Sequence, residues 1–395
     1  MTDRAVVLGA GYAGLAAATG LARRAPGVDV HLVNAGPSFV ERIRLHQLAA
    51  GSGAAERPLT RLLSGTGITL HVGTAESVDL AGGAVTLAGG ERIGYDHLVY
   101  AIGSRSRVGA VPGAAEHAYT LDGPDGAHRL ATAVRDATTV VVCGGGLTGI
   151  EAATELAEAY PGVEVTLATR GEVGHGVSDK GRGHVRRALS RLGVRVVEGV
   201  EVTAVTPSTV ELSDGGPLPS DVTVWCGSFA APTIAADAGL TVDTAGRVLV
   251  DDAMRAVAHP EVYAAGDVAA VGMPWGTPRM SCQAGLPMGL HAADSLARTA
   301  SGRVPRPYQY RFMDLCVSLG RRDGLIEMVH ADDSPHRVLL TGRPAARAKE
   351  YVCRAAAWAA HNGHRVTVRS LYPFAASPVR GTGAALAGDA TATAG

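Results

Sequence analysis

The sequence predicts an α/β chain of two doubly wound, three-layer units, each with a β-hairpin or meander insertion, and a smaller C-terminal α+β domain. Three observations predict it. Residues 6–15 read VVLGAGYAGL and residues 141–151 read VVCGGGLTGIE, so a β-like apolar run breaks into G-x-G-x-x-G twice. Each copy is followed by a helix-favouring stretch (LAAATGLARRA, IEAATELAEAY) and then a strand (VDVHLVN, VEVTLAT). The spacing is equal: 25 residues separate Gly9 from Asn34, and 25 separate Gly144 from Thr169.

Each element has a physical reason. In such a fingerprint the first glycine permits a tight turn and the second lets backbone approach a pyrophosphate. The third lets helix pack on strand, with the helix N-terminus facing phosphate charge. The fingerprint is weak alone in a chain with 52 glycines. It gains weight from the strand before it and the helix and strand after it. The duplication also extends downstream. Residues 85–104, VTLAGGERIGYDHLVYAIGS, and residues 210–228, VELSDGGPLPSDVTVWCGS, each read as a strand, a Gly-Gly turn, a polar stretch, an Asp and a strand ending in Gly. Two fingerprints imply two dinucleotides on one chain. The expected order is a first nucleotide unit in 1–107, a second in 108–245, the return of the first in 246–304 and a C-terminal domain in 305–375. A disordered Ala/Gly/Thr-rich tail is expected over 376–395.

Composition sets bounds. A 395-residue chain is long enough for two or three domains, and 46% apolar content with a net charge of −1 fits a globular protein. The near-zero charge argues against nucleic acid as a partner. No run of 18 apolar residues occurs, so no integral membrane insertion is expected. The first strand begins at once, which leaves no room for a signal peptide and predicts a cytoplasmic location. The five cysteines form no C-x-x-C or C-x-x-x-x-C pair, so neither a metal nor a redox disulfide is indicated. Cys143 and Cys226 lie in apolar strands and read as core thiols.

With these motifs in view, residues 4–330 resemble flavoproteins with two dinucleotide-binding domains, and most resemble the type II NADH:quinone oxidoreductases and their soluble relatives. Four motifs carry the resemblance: GAGYAG at the first fingerprint, LVYAIGS at 98–104, CGGGLTGIE at the second, and VYAAGDVAAV at 262–271. It implies two Rossmann-like domains, with FAD on the first unit and NADH or NADPH on the second. Carried over by motif, the first cofactor's contacts fall on Gly9, Gly11, Tyr12, Ala13, Gly14, Asn34, Ala75, Ala101, Gly103, Gly266, Asp267, Gln283 and Ala284. The second's fall on Gly144, Gly146, Leu147, Thr148, Gly149, Thr169, Arg170 and Gly227. Asp267 would bind the ribityl chain. Glu151 would stand near the nicotinamide, and Gln283 near the acceptor; these two are the candidate catalytic residues. The implied activity is hydride transfer from NAD(P)H to flavin N5 and on to a quinone or small aromatic acceptor.

The sequence also departs from the family pattern. Asn34 stands where an acid usually holds a ribose, and Thr169 followed by Arg170 favours a 2′-phosphate, hence NADPH, with NADH the alternative. The segment FVERIRLHQLAAG (39–51) has no cysteine, which removes the thiol pair that related disulfide reductases carry there. It reads as helical. Arg42, Arg44 and His46 are its spare polar groups, and Arg42 is the candidate cofactor contact. Pro287 replaces the second glutamine of the quinone reductases' motif in SCQAGLPMG, which points to a remodelled acceptor pocket, with Cys282 beside Gln283. In the C-terminal helix, Ala348, Val352, Ala355 and Ala359 form a weak apolar stripe beside Arg347, Tyr351, Arg354 and Trp358. That pattern suits docking on the protein itself or on a partner, and leaves a homodimer open. Three alternatives stand beside the quinone-type reading: a biosynthetic flavoenzyme for one metabolite, a reductase of an electron-transfer protein, and a redox-sensing flavoprotein without turnover.

Overall fold

The computed structural model describes residues 2–366. The first unit opens with β1 (Asp3–Leu8), α1 (Tyr12–Arg24) and β2 (Val28–Asn34). A short helix α2 (Leu45–Ala49) follows, then β3 (Thr69–Val72), a three-stranded antiparallel insertion over residues 75–94, and β4 (His97–Tyr100). The second unit repeats this plan with β5 (Thr139–Cys143), α3 (Leu147–Ala159), β6 (Glu164–Thr169), a second antiparallel insertion over residues 202–219, and β7 (Val222–Trp225). The chain then returns to the first unit through β8 (His259–Ala264) and the long helix α4 (Cys282–Ala300). A three-stranded antiparallel sheet of β9 (Asp314–Ser318), β10 (Gly324–Val329) and β11 (Pro335–Thr341) follows, backed by α5 (Gly342–His361).

In the larger sheet, which has eight strands, β8, β4, β1, β2 and β3 run parallel and adjacent. The second unit's five-stranded sheet is parallel throughout, with β5 between β7 and β6. Parallel strands covered on both faces read as continuous apolar runs, and Ala5 to Leu8 and Val140 to Cys143 are buried accordingly. Cys143 and Cys226 are core thiols, as their positions in apolar strands predict. Both fingerprints therefore sit at the C-terminal edge of a parallel sheet, where open α/β sheets bind ligands.

Two expectations need correction. Residues 39–51 are not one helix. Ser38–Val40 form a strand paired with Glu56–Pro58, then Arg42–Arg44 make a 3₁₀ turn before α2. Phe39 in that strand is fully buried, its ring packed edge-on against Tyr12, centroids 5.2 Å apart. In α5 the buried residues are Ala345, Lys349, Cys353, Ala357, Ala359 and Ala360; of the predicted stripe Ala359 is buried and Ala348 half-buried, while Val352 and Ala355 are exposed. The helix is rotated because a charged residue in the buried stripe finds a charged partner beneath it. The expected tail, 376–395, lies outside the described residues.

Candidate functional site

The two fingerprints make the same pattern of close contacts. A Cβ on Gly9 would lie 2.5 Å from the Ala101 carbonyl oxygen, and one on Gly144 would lie 2.7 Å from that of Cys226. A Cβ on Gly14 would overlap the Gly9 carbonyl, and one on Gly149 the Gly144 carbonyl. These four glycines are required by protein contacts. The middle glycines are different. Gly11 and Gly146 have φ of −74° and −75°, which any residue adopts, and a Cβ on either meets nothing within 4 Å. Neither backbone strain nor packing requires glycine at these two positions. The remaining demand is the close approach of something outside the chain. That open cradle lies at the N-terminus of α1 and of α3, where backbone N–H groups favour phosphate. Leu147 and Thr148, in the first turn of α3, border it and are partly exposed. Beside the first cradle, the Tyr12 hydroxyl is buried without a partner. The residues present thus fit a dinucleotide in each unit.

The loop after β2 is tied back to the first fingerprint. Asn34 accepts a hydrogen bond from the Ala10 amide (2.9 Å) and donates to the Gly36 carbonyl (2.8 Å), so its side chain holds its own loop. Its counterpart Thr169 packs against Gly145. Arg170 is 81% exposed and lies 3.3 Å from Glu201. Ala75 begins the inserted sheet, partly buried, and Gly227 follows the end of β7 beside the Trp225 indole.

A second group gathers where the first unit's strands end. Asp267 accepts from the Ser104 hydroxyl at 2.7 Å. Arg42 donates to the Ser104 carbonyl at 2.7 Å, lies 3.9 Å from Asp267 and 3.5 Å from Asp122, and stacks over Phe229 at 5.4 Å. Arg42 therefore joins LVYAIGS, the Gly266–Asp267 turn and the crossing into the second unit. Gly266 (φ +83°) approaches Ala13, and the Ala13 backbone passes so close to Gly289 that α1 and α4 admit no side chain there. The helix α4 is capped by Ser281, whose hydroxyl accepts from the Ala284 amide at 3.2 Å. Gln283 donates to Asp314 at 2.9 Å, and burial raises the Asp314 carboxyl. Burial also pushes the Cys282 thiol up to about 12, which keeps it protonated.

Glu151 lies in a third group. It is buried, forms an ion pair with Lys349 of α5, and accepts from the Ser318 amide at 2.9 Å; His46 Nδ1 is 3.7 Å from its other oxygen. Burial, with Arg44 adding to it and Cys353 opposing it, draws the Lys349 ammonium down to about 8. Burial and then the Lys349 charge hold His46 well below its ordinary value, so its imidazole is neutral. Arg44 and His46 are thus not surface groups. Arg44 forms a two-pronged bond with Glu350 (2.8 and 2.9 Å) and reaches Glu41 at 3.0 Å.

Sequence reasoning placed Glu151 near a nicotinamide and missed Lys349. A signal was there. Of the chain's 36 Lys and Arg residues only Lys180 and Lys349 are lysines. A chain that otherwise spends arginine keeps at these two positions a cation that releases a proton more readily, and of the two only Lys349 is buried.

A model of the pyridine nucleotide-disulphide oxidoreductase family matches residues 3–294. A NADH dehydrogenase-like protein of Mycobacterium tuberculosis is 33% identical over 397 residues, covering 92% of this chain and 96% of the relative. A probable ferredoxin reductase of Castellaniella defragrans is 31% identical over 327 residues, covering 77% of each. Among solved structures, the sulfide:quinone oxidoreductase of Aquifex aeolicus superposes with a TM-score of 0.77 at 21% identity, covering 93% of this chain and 92% of that one. The chain belongs to the pyridine nucleotide-disulphide oxidoreductase family, and its cofactors are FAD and NAD(P)H.

Proposed function

We propose that this member of the family is an NADPH-preferring oxidoreductase that reduces a water-accessible quinone or small aromatic acceptor without a redox disulfide. The observation that carries the reading is the Glu151–Lys349 pair, buried two residues past the last glycine of the second fingerprint. A buried ion pair costs several kcal/mol per ion in desolvation and is a poor device for stability. Strongly perturbed groups of this kind gather at functional sites.

The proton balance gives the pair a task. Reduction of a quinone by NAD(P)H consumes one further proton: NAD(P)H + H⁺ + quinone gives NAD(P)⁺ + hydroquinone. FAD, when bound, supplies the two-electron relay between donor and acceptor. Lys349 is the chain's candidate proton donor, because its ammonium is drawn close to neutral pH and Glu151 stabilises the charged form. His46, which burial holds neutral, lies 3.7 Å from the other Glu151 oxygen and adds no competing charge. Asp267, Ser104 and Arg42 hold the first cofactor, and Gln283 lies at the acceptor end of α4.

Among the described residues no helix is long and apolar enough to cross a membrane. Pro287 lies inside α4 where quinone reductases resembling this chain carry glutamine. Both observations favour short, soluble acceptors. The test is anaerobic titration with NADPH and NADH followed by a quinone chain-length series and liposome flotation. Faster reduction by NADPH and higher kcat/KM for short-chain quinones are expected. Tight lipid binding together with a preference for long-tailed quinones would refute the reading.

A further inference from the structure

The outer face of α5 borders a cleft of about 510 Å³. Arg321, Arg322, Arg343, Arg347 and Arg354 line it, with Glu350 and Tyr351. Glu350 is committed: it accepts from Arg44 and, at 2.8 Å, from Arg354. Arg321 reaches Glu155 at 3.7 Å. Among the described residues no carboxylate pairs with Arg322, Arg343 or Arg347, which are all exposed. In a chain of net charge −1, three uncompensated guanidiniums around one concavity make a strong local field.

The cleft adjoins the buried pair. Lys349 points inward from the same turn of α5 whose Arg347, Glu350 and Tyr351 face the cleft. The charge of Arg321 reaches His46. Its volume lies in the range of small-ligand pockets, roughly 300–1,000 Å³. Arginine forks match carboxylate, sulfonate or phosphate in two-pronged geometry. Tyr351, 74% exposed, offers a ring face beside them.

We propose that this cleft recognises the anionic group of the electron acceptor, so that the preferred acceptor is a quinone or aromatic ring carrying a carboxylate, sulfonate or phosphate. The proposal rests on the oxidoreductase reading above and names the substrate class of that site. A concavity of small-molecule size favours such a ligand over an acidic protein or an anionic bilayer.

The test compares 1,4-naphthoquinone-2-sulfonate with 1,4-naphthoquinone in the holoenzyme, beside an Arg343→Gln/Arg347→Gln variant. The parent is expected to favour the sulfonate in kcat/KM by about tenfold or more at low salt, the order of one charge-assisted contact. The variant should bring the ratio close to one, and the Arg→Lys pair should restore part of it. A parent ratio near one, or equal losses for both quinones, overturns the proposal. So does an unchanged ratio in a variant that has lost binding to anionic vesicles or to an acidic ferredoxin. Equilibrium titration with redox-inert naphthalene-2-sulfonate separates the two readings. Binding by the parent and not by the variant supports the cleft without turnover, and equal binding or none overturns it. Absence of turnover with both quinones sinks the acceptor reading instead.

Discussion

Replacing Lys349 by Met leaves the Glu151 carboxylate buried with the Ser318 amide and His46 as its remaining neighbours. Removing one partner of a buried pair costs about 3–5 kcal/mol, because the other charge stays desolvated. Glu151→Gln has the mirror effect: the Lys349 ammonium, which burial already draws to about 8 from 10.5 in the parent, loses its counter-charge and is lowered further. The sign of its pH dependence follows. Between about pH 8 and 10.5 the folded parent has shed a proton that the unfolded chain still binds, so its stability rises with pH across that window, and in the variant the rise begins at lower pH. The deficit of Glu151→Gln therefore shrinks as pH rises toward about 8 and changes little above it. Carrying both changes removes both charges and should cost less than the sum, with a coupling of roughly 1–3 kcal/mol. Thermal unfolding of the parent, both single variants and the double variant at pH 7 and pH 9.5 measures this. Midpoints are the quantity to compare, since a chain of several domains need not unfold in two states. Additive losses, or a Glu151→Gln deficit that does not change with pH, would refute the buried pair as the source of the perturbation. In activity, kcat/KM for the acceptor should fall above about pH 8 in the parent, as Lys349 loses its proton, and the fall should move to lower pH in the Glu151→Gln variant.

Asp267→Ala should purify with FAD largely lost, read from the ratio of flavin to protein absorbance; full retention would remove Asp267 from the cofactor's contacts. Gly146→Ala should fold with an unchanged melting temperature, since a Cβ there meets nothing, and should raise KM for the nicotinamide. Gly149→Ala should destabilise the second unit outright, and equal behaviour of the two variants would contradict the open-cradle argument. Arg170→Ala should raise KM for NADPH by about tenfold, the order of one charge-assisted contact, with NADH little affected. Equal loss with both donors would refute the assignment. Glu201→Gln, which releases Arg170 from its 3.3 Å contact, should strengthen the NADPH preference measured as a ratio of kcat/KM values.

Much of the fold was legible because its signals are local. The fingerprints, the strands that follow at equal spacing and the duplicated Gly-Gly hairpins are each specified within about ten residues, and they fold as two copies of one unit. The site was legible only where a motif carries it, as at Gly11, Gly146 and Asp267. Partners far apart in sequence were not. Arg42 reads as a spare cation until Ser104, Asp122 and Phe229 are brought to it by three different strand ends. The α5 stripe was misassigned by one position because a helical wheel counts Lys349 as polar and turns it outward. Its burial depends on Glu151, 198 residues earlier.

The two copies have diverged in how their fingerprint helices meet the rest of the molecule. Helix α1 is covered by small residues: Ala13 against Gly289, Gly20 against Ala293, and Ala16 against Gly363. Such contacts bring backbones together and fix them, because any shift opens voids or clashes. Helix α3 instead presents Glu151, Glu155 and Glu158 to the C-terminal sheet and its helix, one turn apart along one face. Glu151 takes Lys349 and the Ser318 amide, Glu155 lies near Arg321, and Glu158 accepts from the Arg321 amide. Helix α3 thus meets the C-terminal domain through charged groups, while α1 meets its neighbours through close backbone packing, with Thr19 donating to the Ala360 carbonyl and Arg24 to that of Val366. An enzyme that holds one cofactor permanently and exchanges another needs this asymmetry. The resident dinucleotide calls for a rigid cradle. The exchanging one calls for a cradle whose surroundings respond to charge, and the Glu151–Lys349 pair joins the C-terminal domain to the helix of the second fingerprint.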